Sequence, residues 1–169
     1  MARLNDPKRA AVKPTIGARI YLLVSVQQFR FALPAEAIEE VRSRESVQRC
    51  EFSEPLLKKI CGTVSRAGEA HFVVDPSIYF DIDASRLSHV VLFRSRAAAL
   101  LVDEVDRMHS ATQLALPEIF RGAERNWYSG LAQLDGRVVP VVDPENLISA
   151  VEFTLLRRAL SQLAEGASA

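Results

Sequence analysis

GTVSRAGEAHFVVDP, residues 62–76, and GLAQLDGRVVPVVDP, residues 130–144, are two renderings of one phrase. At a shift of 68 residues, Gly62, Gly68, Val73, Val74, Asp75 and Pro76 all find an identical counterpart. Six identities in fifteen positions is far above the roughly one that background composition gives. Each phrase reads as two short strands around a two-residue turn, Ala67-Gly68 in the first and Asp135-Gly136 in the second. Upstream, FALPAEAIEEV (Phe31–Val41) is similar to AALLVDEVDRM (Ala98–Met108) at a shift of 67. Both blocks move together and keep their order, so the chain holds two versions of one β unit.

A unit of that size buries too little apolar surface to stand alone. Several short strands apiece make a small barrel or strongly curled sheet, and pressing two together supplies the missing core. The expected fold is therefore all-β: a pseudo-symmetric pair of small barrels packed across an apolar seam, followed by one helix. The other segments fit this plan. Ile20–Val26 (IYLLVSV) and Phe29–Leu33 read as strands joined at Gln27-Gln28, and Pro34 ends the second. Val90–Phe93 and Ala97–Val102 form a hairpin around Arg94-Ser95-Arg96. Ala35–Val41 is open between helix and strand. Ser53–Lys59 reads as a short helix, with Ser53 as N-cap and Leu56-Leu57 as its buried side. Ser110–Asn126 reads as a long loop.

From Glu145 to Glu165, Leu147, Val151, Leu155, Ala159 and Leu163 recur four apart, flanked by Ile148 and Leu156. This is an amphipathic helix whose stripe should pack on the body. Residues 1–19 carry Arg3, Lys8, Arg9, Lys13 and Arg19 against Asp6 alone, with Pro7, Pro14 and Gly17 among them. They read as a basic, mobile tail. The layout is a tail over 1–19, a β body of two intertwined barrels over 20–149, and a helix over 145–165.

Across all 169 residues, 21 basic and 21 acidic side chains cancel. Nothing global favours nucleic acid or an anionic membrane. No run reaches the roughly 20 apolar residues of a spanning helix, so no direct membrane insertion is expected. The two cysteines, Cys50 and Cys61, have no metal-site spacing and read as reduced structural thiols. His71, His89 and His109 lie in separate segments without a ligand-pair motif. The residues imply neither a metal nor another cofactor. A Cys61–His71 couple could activate a thiolate, but Cys61 opens an apolar strand and reads as a buried small residue. Trp127 and Tyr128, near Arg121 and Arg125, read as a rim-and-core pair rather than a base-stacking platform.

The shared aspartates pose the sharper question. Two related halves, each delivering one Asp to a common seam, could build a hydrolytic dyad. Yet Asp75 and Asp143 each follow a strand and precede a Pro, where a carboxylate caps the next turn or helix, for Asp143 the amphipathic helix, and Pro takes the first helical position. No Thr-Gly or Ser-Gly follows either Asp. The capping reading explains both positions, and the expectation is no enzyme.

Taken in order, four blocks resemble the CheW-like domain of bacterial chemosensory systems. They are YLLVSVQQFRFALPAEAIEEVR, the phrase at 62–76, VVLFRSRAAALLVDEVDRM, and YSGLAQLDGRVVPVVDPENLIS. The similarity spans roughly Ile20 to Ser149. It implies two SH3-like five-stranded barrels and a coupling adaptor without catalysis or cofactor. It also implies a CheA-type histidine kinase regulatory domain and a methyl-accepting chemoreceptor cytoplasmic tip as partners. The setting would be cytoplasmic, with recruitment to membrane-associated receptor arrays. An adaptor of a pilus-type array that binds only the kinase is the variant reading. The family's receptor-facing positions fall near Ile38, Glu40, Val41 and Arg42. Where the family's turn usually reads Asn-Leu-Arg-Gly, this chain has Ser65-Arg66-Ala67-Gly68, with Arg66 one place early. In a β segment such a shift sends a side chain to the opposite face. His71-Phe72 likewise replaces a more usual apolar-Pro pair. Both departures bear on receptor coupling more than on the fold.

Overall fold

The computed structural model describes residues 14–120 and 126–168. Among them run eleven strands and one long helix. The first six strands are β1 (Pro14–Val26), β2 (Phe29–Pro34), β3 (Ile38–Ser43), β4 (Gln48–Arg49), β5 (Ile60–Arg66) and β6 (Glu69–Val74). They are followed by β7 (His89–Phe93), β8 (Ala98–Val102), β9 (Glu104–Leu114), β10 (Tyr128–Leu134), β11 (Arg137–Val142) and helix α1 (Ala150–Ala167). One sheet closes into a barrel in the order β1-β2-β11-β10-β9; the other runs β3-β7-β8-β6-β5-β4.

Neither sheet is one copy of the sequence repeat. The two hairpins that carry the repeated phrase lie in different sheets, β5–β6 in the second and β10–β11 in the barrel. Each then pairs in parallel with a strand from the other copy. Val141 of β11 lies beside Ala32 of β2, and Val73 of β6 lies beside Ala99 of β8. Val73 and Val141 are repeat equivalents, as are Ala32 and Ala99, so the two crossings are one contact made twice. The copies exchange halves and complete each other's sheets.

The second sheet departs from strict closure for a local reason. Its end strands, β3 and β4, are consecutive in the chain and are separated by a 3-10 turn at Arg44–Ser46. Their counterpart in the other sheet is the single unbroken strand β9, which pairs with β1 on one side and β10 on the other. Here the turn divides those two tasks, so β3 pairs with β7 and β4 with β5.

Side-chain alternation along β1 builds both cores. Tyr21 and Leu23 point into the barrel with Ala32, Ala111, Ala132, Leu134, Val139 and Val141. Leu22, Val24 and Val26, with Phe31 and Leu33, join the larger cluster that includes Phe72, Val90 and Leu101 of the second sheet. That cluster is the seam. A strand buried on both faces needs apolar residues at every position, which is why IYLLVSV shows so little polar alternation.

The repeated phrase has the same geometry in both places. Ala67 and Gly68 have φ of 50° and 79°, and Asp135 and Gly136 have 50° and 74°. These paired positive values suit the right-handed twist of a tight hairpin. Gly62 and Gly130 mark a close crossing. A Cβ on Gly62 would sit 2.3 Å from the Gln48 carbonyl oxygen, and one on Gly130 would sit 2.3 Å from that of Leu114. Asp75 accepts a hydrogen bond from the Ser77 amide at 2.8 Å, and Asp143 accepts one from the Glu145 amide at 3.0 Å. In each case Pro occupies the first position of the capped 3-10 turn.

Four readings of the sequence need correction. First, the strand read from Ile20 begins at Pro14, and the supposed loop from Ser110 continues β9 as far as Leu114. These two segments pair with each other, Ala18 with Thr112 and Arg19 with Ala111. Backbone pairing, not apolar patterning, makes them strands. Second, Ser53–Lys59 is not a helix: only Pro55–Leu57 forms a 3-10 turn, with no side-chain cap, and Leu57 is buried while Leu56 is exposed. Third, Asp143 caps the short 3-10 turn Pro144–Asn146 and not α1. The helix begins at Ala150 under its own capping box, in which Ser149 Oγ accepts from the Glu152 amide and Glu152 accepts from the Ser149 amide. Fourth, the buried face of α1 is Phe153 and Leu156, with Leu155 and Leu160 partly covered. Val151 and Leu163 remain 65% and 51% exposed. Arg121 and Arg125, and the tail up to Lys13, lie outside the described residues.

Candidate functional site

The positions that resemblance marks for a partner converge on one edge of the second sheet. A bulge between Ile38 and Glu40 breaks the register of β3 against β7. In a regular strand consecutive side chains point to opposite faces; a bulge lifts that rule locally. Glu39 and Glu40 therefore both reach Arg66, through Glu39 Oε1 and, at 3.5 Å, Glu40 Oε2. Arg42 closes on Glu40 with two hydrogen bonds of 2.8 Å, and its third nitrogen donates to the Ser65 carbonyl at 3.0 Å. Arg94, from the β7–β8 turn, binds Glu39 at 3.2 Å and donates to the Ile38 carbonyl at 2.9 Å.

This network has a structural task. β3 ends the second sheet's hydrogen-bonding order and β5 stands next to last at its other end, yet Arg42 and Arg66 tie them together. Side chains thus bridge the gap that β4 closes further along through Gln48–Thr63 and Arg49–Gly62. The paired, fork-shaped contact between Arg42 and Glu40 is the strongest geometry available to such a link. Its hydrogen bonds hold the Glu40 carboxyl below the usual carboxylate range, and Glu40 in turn raises Arg42.

Of the five marked residues, four share this network or its rim. Glu40, Arg42 and Arg66 are half-buried in it, and Val41 stands beside it at 39% exposure. Ile38 is different: it belongs to the large buried cluster at 9% exposure. Glu39 and Arg94 belong to the network but were not singled out from the sequence. The Glu39-Glu40 pair was the available signal, since two adjacent acids on a short strand call for cations on the same side.

The other candidate chemistry does not assemble. The Cys61 thiol donates to the Val73 carbonyl at 3.6 Å, and burial, reinforced by the Asp75 charge, pushes it up to about 12. A thiol so held is no nucleophile at neutral pH. His71 is buried on β6 with Nδ1 unpartnered. Trp127 is buried, edge-on to Tyr79 at 4.8 Å, while Tyr128 stacks on Phe31. Asp75 and Asp143 are each engaged by their own caps, in different sheets. Among the described residues, no three His, Cys, Asp or Glu side chains gather where they could hold a metal ion. No helix among them is long and apolar enough to cross a membrane.

The model of one protein family, the CheW-like domain, matches residues 21–152, a span that includes all of β2 to β11 and the second half of β1, from Tyr21 on. The chain belongs to the CheW-like domain family. The intertwined sheets are the two SH3-like barrels of that fold, and the family is one of scaffolds and adaptors in chemotaxis signalling. Fifteen chains of solved structures match this CheW-like chain. One is the scaffolding protein TtCheW from Thermoanaerobacter tengcongensis, at a TM-score of 0.64 and 17% identity, covering 79% of this chain and 94% of that one. At that identity the likeness carries the fold alone. No curated protein matches the chain in sequence. Most of α1 lies beyond the residues that the CheW-like model covers.

Proposed function

We propose that this CheW-like protein is a coupling scaffold with no catalytic chemistry of its own. It joins the cytoplasmic tip of a methyl-accepting chemoreceptor to the regulatory domain of a CheA-type histidine kinase, in the cytoplasm, at receptor arrays on the membrane. The observation that carries this reading is the family match running through both barrels and the seam between them. Two small barrels, each built from strands of both copies, form one rigid body with two distinct outer surfaces. A body of that kind passes on a change of relative geometry without a reaction. The edge around Glu40, Val41, Arg42 and Arg66 is our receptor-facing surface. Its charges are arranged but half-solvated, so a partner can compete for them without breaking the core.

The deciding experiment is a pulldown of the full chain on the immobilised kinase regulatory domain, repeated with a receptor-tip fragment. The scaffold binds both at micromolar concentration. Absence of kinase binding by a demonstrably folded chain overturns the reading. A second reading, an adaptor of a pilus-type array that engages the kinase only, draws on the burial of Ile38, which removes one residue from the receptor face. Kinase binding without receptor binding would select it.

A further inference from the structure

Four guanidiniums at the second sheet have polar partners. Arg42, Arg66 and Arg94 bind the two glutamates of β3, and Arg44 donates to the carbonyls of Ala84 and Leu87. Arg96 and Arg157 instead meet at one side chain. Arg96 comes from the β7–β8 turn and Arg157 from the second turn of α1. Their Cζ atoms lie 5.5 and 5.9 Å from the centre of the same ring, Phe153. Among the described residues neither is in ion-pair contact with a carboxylate. Both line one open pocket of about 410 Å³, with Glu69, Ser95, Ala97, Ala150, Phe153 and Thr154 completing its wall.

Two cations gathered on one ring repel each other, and the ring's electron-rich face offsets only part of that. An anion between them would relieve the repulsion and take up their free donor forks. We propose that this pocket is an interaction site for an acidic protein segment, a glutamate or aspartate flanked by an apolar side chain. The flanking preference follows from Phe153 and Ala97 in the wall, which offer contact area but no polar group. A phosphate fits less well, because Glu69 on the wall repels a double charge more than a single one. Phe153 and Arg157 lie beyond the residues matched by the family model, so the site belongs to this chain's own helix. It is separate from the β3 edge and does not depend on the receptor or kinase assignment.

The test is fluorescence anisotropy of a fluorescein-labelled peptide of alternating Glu and Leu, titrated with the full chain at low ionic strength. The matching Gln/Leu peptide is the neutral control and inorganic phosphate the competitor. The Glu/Leu peptide binds, the control does not, and added salt weakens the complex. Arg96→Gln with Arg157→Gln lowers affinity at least about tenfold, and Glu69→Gln raises it. Arg157→Gln alone, on an exposed helix position, must show part of the loss with an unchanged melting curve, which separates binding from folding. Equal binding of the Gln/Leu peptide, unchanged affinity in the double variant, or displacement by phosphate as effective as by free peptide would each overturn the proposal.

Discussion

Ile38 and Val41 look alike in the sequence, but they stand three residues apart on one short segment and meet opposite fates. Ile38 sits in the seam cluster, while Val41 faces solvent beside the Glu40–Arg42 fork. Ile38→Arg forces an unpaired charge into the core and should cost more than about 4 kcal/mol, measured by urea unfolding. Val41→Arg should change stability by no more than about 0.5 kcal/mol and act instead on receptor-tip binding. Equal effects on stability would mean that the two side chains share one environment in solution. Glu40 offers a second residue-level measurement. Its carboxyl is held low by Arg42, so the folded state favours its ionised form. That contribution is complete above the unfolded glutamate value of about 4.3 and is lost as pH falls through the lower folded value. The stability gap between the wild type and Glu40→Gln should therefore be constant from neutral pH to about pH 5 and shrink below it. A gap that widens on acidification would contradict the pairing.

At the scale of elements, the repeated hairpin is the part of this fold that the sequence displays openly. Its strands, its turn and the capping aspartate all follow from local chemistry: a positive-φ dipeptide, alternate burial, and Asp-Pro at the exit. Gly62 and Gly130 add a prediction the sequence alone did not make. Each is where a neighbouring carbonyl crosses too closely for any Cβ. Gly62→Ala and Gly130→Ala should each destabilise by about 1–3 kcal/mol, since strand backbone must move to admit the methyl group. The two costs should be similar, because the crossings are repeat equivalents; a tolerated substitution at either position would show that its strand can yield. What stayed hidden was of another kind. Residues 14–19 and 110–114 carry no apolar rhythm, and their strand character exists only because they meet each other. The buried face of α1 was misjudged for a similar reason. The i, i+4 row through Val151 and Leu163 is regular, but the Ser149–Glu152 box and the Lys59–Glu152 ion pair at 2.9 Å turn the helix so that Phe153 and Leu156 go inward. The candidate site was half legible. Family resemblance marked the β3 segment, whereas the bulge that joins Glu39 to the network is set by pairing with β7.

For the whole molecule, the exchange of halves between the two copies has a consequence that two separate barrels would not share. A cut between the copies, giving fragments 1–86 and 87–169, leaves neither with a complete sheet. The first keeps β1 to β6 but loses β9, β10 and β11 from the barrel and β7 and β8 from the second sheet. The second fragment keeps those strands but loses β1 and β2 from the barrel and β3 to β6 from the second sheet. Each exposes the apolar face of strands that the other covers, so neither should fold alone. Mixed in equal amounts, they should assemble, because every interrupted pairing is between chains and needs no covalent link to form. Circular dichroism of the separate and mixed fragments measures this directly. Fluorescence of Trp127, buried in the shared cluster on the second fragment, should shift to the blue only when the first is added. The intact chain, by the same logic, should unfold in one transition, with Trp127 fluorescence and far-ultraviolet dichroism changing together. Independent folding of either fragment, or two separated transitions in the whole chain, would mean that the barrels are autonomous. A scaffold made of autonomous barrels could flex at its seam, whereas one whose barrels each draw strands from both copies must move as a unit when either partner binds.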